Sequence, residues 1–85
     1  MLVIVNLSSK ASSFPVDALS EVDSALAAVG LKKQIRSVLV PGKSFTITYD
    51  GPTLEKRRVE EVVAPLAERN GLMFSVEMEE SVSFP

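Results

Sequence analysis

The densest group of chemistry-bearing side chains is Ser8-Ser9-Lys10-Ala11-Ser12-Ser13, with four hydroxyls and one ammonium in six residues. It follows the apolar run Leu2–Leu7 and precedes a segment with the marks of a helix start. Free N–H groups and the helix dipole favour negative charge at such a point. Phosphate or carboxylate is the ligand chemistry that fits, with Ser8, Ser9, Lys10, Ser12 and Ser13 as contacts. The segment has no glycine to let the backbone wrap closely around an anion, and a serine-rich loop is by default a connector.

Two other groups carry charge worth weighing. Lys56-Arg57-Arg58 could meet a phosphate backbone or an acidic partner, but on a helix Lys56 and Arg57 fall four residues before Glu60 and Glu61. A solvated helix face is the simpler reading. Asp50 and Glu77 could share acid–base work, yet nothing in the spacing brings them together. Histidine and cysteine are absent, which removes the commonest general base, the commonest transition-metal ligand and any thiolate site. No catalytic residues, metal or cofactor are therefore expected, and an enzyme is the less favoured class.

The elements that position these residues follow from period and punctuation. Leu2–Leu7 reads as a central strand. Pro15 suits a first helical turn, Asp17 and Glu21 suit its dipole, and Leu19, Val22, Leu26 and Val29 form one helical face ending at Gly30. Gln34–Val40 is a second strand and Pro41-Gly42 a turn. Phe45, Ile47 and Tyr49 alternate with threonines in a third strand, so they share the core face. Thr53 is the expected N-cap of a second helix with Leu54, Val59, Val62, Val63 and Leu66 inward. Pro65 predicts a kink or break within it. Asn70-Gly71 ends that helix, and Leu72, Phe74, Val76 and Met78 face the core from a last strand. Ser81–Pro85 receives no assignment.

The order is βαββαβ. Right-handed crossovers give a four-stranded antiparallel sheet, order 4-1-3-2, with two helices on one face, an α+β domain covering residues 1–85. The second and fourth strands are edges and both are charged: Lys33 and Arg36 on one, Glu77, Glu79 and Glu80 on the other. Charge is uneven along the whole chain. Residues 32–58 hold seven basic side chains against two acidic ones, and residues 59–85 hold one against six.

Eighty-five residues, 46% hydrophobic and 24% charged, suit one globular domain of thin stability margin. The first residues carry neither a basic leader nor an apolar run of spanning length, so the expected location is cytoplasmic, with no membrane partner. A net charge of −2 argues against a general nucleic-acid binder.

The layout is ferredoxin-like. Its spacing resembles heavy-metal-associated domains: a helix closing on Gly30, a strand ending Thr48-Tyr49-Asp50, and a helix ending Asn70-Gly71 before a Phe-containing strand. Where that family carries Cys-x-x-Cys, this chain has Ser9 and Ser12, which are poor ligands for soft metals, so the metal function does not carry over. Leu2-Val3-Ile4-Val5-Asn6-Leu7 and Lys43–Tyr49 resemble the two short motifs of RNA-recognition domains. That resemblance implies base stacking on the open sheet face, but the stacking positions read Val3, Phe45 and Ile47. An acylphosphatase-like loop would need glycines and an arginine within Asn6–Ser13, and a metal-dependent nuclease of this plan would need an acid where Asn6 stands.

The reading that remains is a small non-catalytic binding domain that self-associates or binds a protein or small ligand. Its contacts would be the charged edges, or an open sheet face made apolar by Met73 and one phase of the first strand, either Val3 and Val5 or Leu2 and Ile4. The alternative is a degenerate nucleic-acid-binding domain using the basic middle segment.

Overall fold

The computed structural model describes residues 1–11, 13–15 and 17–79; Ser12, Val16, Glu80 and the 81–85 tail lie outside the described residues. The elements are β1 (Leu2–Ser9), α1 (Asp17–Ala27), β2 (Lys32–Val40), β3 (Ser44–Asp50), α2 (Lys56–Arg69) and β4 (Leu72–Glu79). The antiparallel sheet has order β2-β3-β1-β4, which is the expected 4-1-3-2 arrangement. Both helices cover one face, and the fold is ferredoxin-like.

The core phase of β1, open in the sequence, is Val3, Val5, Leu7 and Ser9. It meets Ile47 and Tyr49 from β3, Leu72 and Val76 from β4, and the inner stripes of both helices. Phe45, Phe74 and Met78 share that face but are only partly buried. Phe14, unassigned in the sequence, is also core and packs edge-to-face on Phe45, with ring centres 4.8 Å apart.

Helix α1 stops as its sequence requires. Gly30 takes φ 93°, the Leu31 amide bonds the Leu26 carbonyl at 3.0 Å and the Gly30 amide bonds Ala27 at 3.0 Å. This paired closure also buries Leu26 and Leu31 together.

Helix α2 departs from expectation in two ways. It starts at Lys56, so its N-cap is Glu55 and not Thr53, and no side chain caps it. Leu54 immediately precedes the cap and Val59 follows four residues after it. This is the spacing of a hydrophobic staple, and both residues join the core. Apolar anchoring has won over a hydroxyl cap. The helix also runs unbroken across Pro65. Pro65 lies on the exposed side, where water can satisfy the carbonyl that loses its partner, while Val59, Val63 and Ala67 keep the buried stripe continuous.

Strand β2 begins two residues earlier than its apolar pattern suggests and contains two irregularities, at Gln34 and Leu39. Each places two β2 residues against one on β3, as a bulge does.

Candidate interaction surface

The Ser8–Ser13 segment is tied down by its own bonds. Ser8 and Ser9 belong to β1 and point to opposite faces. Ser8 Oγ accepts from Ser44 Oγ at 3.1 Å. Ser9 is buried: its Oγ donates to the Ser13 carbonyl at 2.8 Å and accepts the Ala11 amide at 3.1 Å. The amides of Ser9, Lys10 and Phe14 bond the carbonyls of Lys43, Gly71 and Gly42. Four amides that an anion would use are thus engaged internally. What remains is an open cleft of about 420 Å³ with Lys10, Ser13 and Asn70 on its walls.

A second cleft, about 750 Å³, lies between the end of α1, the β3–α2 loop and the first turns of α2. Its walls mix Arg57 and Arg58 with Glu55 and Glu61. Arg57 bonds Glu61 at 3.1 Å, the i,i+4 pair expected from the sequence, while Lys56 and Glu60 make no ion pair among the described residues. Both members of the pair are largely exposed, so it adds little stability.

The sheet margins show the strongest departure from a closed surface. Every residue of β2 is exposed, and Ile35, Val38, Leu39 and Val40 are 62, 56, 59 and 49% accessible. Opposite-side registers place Lys33, Arg36 and Val38 with Tyr49, Ile47 and Phe45 on the helix-bearing face. Lys32, Ile35, Ser37 and Val40 lie on the open face. The two basic residues expected at this edge are therefore aimed at the helix layer. Lys33 Nζ donates to Asp23 Oδ2 at 3.2 Å, and Tyr49 Oη donates to Asp23 Oδ1 at 2.6 Å. Burial first, then the hydrogen bond and the negative charge of Asp23, hold the Tyr49 phenol far above its ordinary range; Arg36 opposes them. Asp23 was not visible as a partner in the sequence, where it looks like a solvent-facing residue of α1.

Glu77 and Glu79 fall on the open face, paired in register with Ile4 and Leu2. That face is more polar than expected. Thr46 Oγ1 donates to Asn6 Oδ1 at 2.7 Å, and Asn6 Nδ2 donates to Ser75 Oγ at 3.1 Å. Its apolar side chains are the partly covered Leu2 and Ile4 and the exposed Ile35, Val40 and Met73. The described residues of this face include no aromatic ring: Phe45, Tyr49 and Phe74 all lie on the helix side.

No family model matches the chain, and no curated protein matches it in sequence. One solved structure similar to it is a formyltetrahydrofolate deformylase from Pseudomonas putida KT2440, at TM-score 0.67 and 13% identity. The match covers 93% of this chain but 29% of that one. At that identity the likeness establishes the fold alone. No helix of the described residues is long and apolar enough to cross a membrane.

Proposed function

We propose that this chain is a non-catalytic interaction domain that self-associates through the outer edge of β2. One observation carries the reading: a nine-residue edge strand, exposed throughout, presents four large apolar side chains that are each about half accessible or more. Edge strands offer unpaired N–H and C=O groups, and proteins usually blunt them with charge or cover them. Here the charges sit toward the Lys32 end, and the Val38–Val40 end is left apolar. Pairing with another strand would satisfy the backbone and remove this apolar surface from water together. The polar, ring-free open face favours this reading over base stacking.

Sedimentation velocity across a concentration series at low salt tests it. The wild type is expected to associate, and Leu39→Lys, which changes only an exposed side chain, to shift it toward monomer. A wild type that stays monomeric at the highest concentration overturns the reading.

A further inference from the structure

The two free edges of the sheet are complementary in register, and from this we propose that the occupant of the β2 edge is β4 of a second copy, joined head to tail. The inference rests on the self-association reading and adds which strand docks.

The registers within one molecule define rows across the open face. Lys32, Asp50, Leu2 and Glu79 share one row; Ser37, Thr46, Asn6 and Ser75 another; Val40, Ser44, Ser8 and Met73 a third. Strand β4 is antiparallel to β1, and β2 to β3, so β2 and β4 run in opposite directions within the sheet. Continuing the sheet from β4 of one copy into β2 of the next therefore makes an antiparallel pair. With the rows kept, Lys32 meets Glu79, Ser37 meets Ser75, and Val40 meets Met73. Three of the four rows thus set opposite charges, two hydroxyls and two apolar side chains against each other, while the fourth sets Ile35 against Glu77. Sliding by one row keeps an opposite-charge pair, Lys32 with Glu77, but sets Ile35 against Ser75 and Ser37 against Met73, so the hydroxyl and apolar matches are lost. On the other face the same register sets Val38 against Phe74, a partly buried core residue.

The charges are available for this use. Lys32 and Glu79 make no ion pair among the described residues, although Lys32 stands opposite Asp50 in register, because Asp50 lies beside the Met1 amine at 3.6 Å. The symmetric alternative, β2 against β2, is antiparallel and sets the Lys32 end of one copy against the apolar Val40 end of the other; centred on Arg36, it opposes the two guanidinium groups. A β2-to-β4 contact uses different patches on the two copies, so it repeats until it closes into a ring or grows as a fibre.

Charge exchange tests the assignment. Lys32→Glu alone and Glu79→Lys alone each place like charges across the seam, and each is expected to weaken association by about 10-fold. Mixing the two variants one to one restores opposite charges at every contact and should recover assembly, as should the double variant Lys32→Glu/Glu79→Lys. Each variant is checked for a wild-type circular dichroism melt, and recovery on mixing shows that both are folded. Assembly of the wild type that stops at a dimer, or single variants that associate as the wild type does, overturns the β2-to-β4 assignment while leaving β2 self-association standing. A wild type that never associates removes both.

Discussion

Tyr49 offers a sharp physical test of the packed layer. It is the only tyrosine, and the chain has no tryptophan, so tyrosinate absorbance reports this one residue. Its ring is fully buried, and its hydroxyl donates to Asp23 at 2.6 Å. Replacing it by phenylalanine removes a hydrogen bond to a charged acceptor, worth about 1.5–3 kcal/mol. The pH dependence is more specific. An unfolded phenol ionises near pH 10, whereas the native one is held well above that by burial and by Asp23. Between these values the unfolded chain has lost a proton that the native state keeps. Stability from this group is therefore intact below about pH 10 and falls as pH rises toward the native value, by about 1.4 kcal/mol per pH unit. Urea unfolding of wild type and Tyr49→Phe across the alkaline range isolates this slope, because the other titrating groups are common to both. The wild-type advantage should shrink above pH 10, with the folded protein showing no tyrosinate band there. A folded-state band rising at pH 10, together with parallel stability curves, would refute the reasoning.

Three further outcomes follow from local geometry. A Cβ on Gly51 would stand 2.6 Å from the Gly30 carbonyl oxygen and 2.8 Å from Leu31, so Gly51→Ala should lower the melting temperature, at a cost of about 1–3 kcal/mol; an unchanged melt contradicts this packing of loop on helix cap. Pro65→Ala restores an N–H inside α2 and should raise stability by about 1–3 kcal/mol in urea unfolding, whereas a loss would mean that the proline is required where it stands. Ser9→Ala removes two hydrogen bonds and leaves the Ala11 amide without its acceptor, so stability should fall by about 1–2 kcal/mol and exchange of that amide should accelerate; no change in either would show that the loop is held by its backbone bonds alone.

The sequence made the architecture legible where one periodicity dominated. The Phe45/Ile47/Tyr49 alternation, the Leu19/Val22/Leu26 stripe and the stop at Gly30 each had a single physical solution, and the structure has it. Strand β2 was harder because neither of its faces is covered. No burial period marks its start, and Lys32 and Lys33 are as acceptable there as apolar residues. The α2 boundary was misplaced because hydroxyl capping at Thr53 competed with anchoring by Leu54, and local pattern does not rank the two. At the loop, composition revealed serines and a lysine. It could not reveal that Ser9 would be buried and that the amides would bond to turns distant in sequence. The Asp23–Tyr49 bond spans 26 residues and depends on how α1 lies over the sheet. Net charges along the chain pointed to the two edges, but only the registers show that Lys33 and Arg36 face the helices while Glu77 and Glu79 face the open side.

Whether the outer edge of β2 is an interaction surface is read most directly by amide hydrogen exchange at two protein concentrations. The β2 amides that do not bond to β3 should exchange fast when dilute and become protected when concentrated, while core amides of β1 stay unchanged. Equal exchange of those β2 amides at both concentrations would contradict the account.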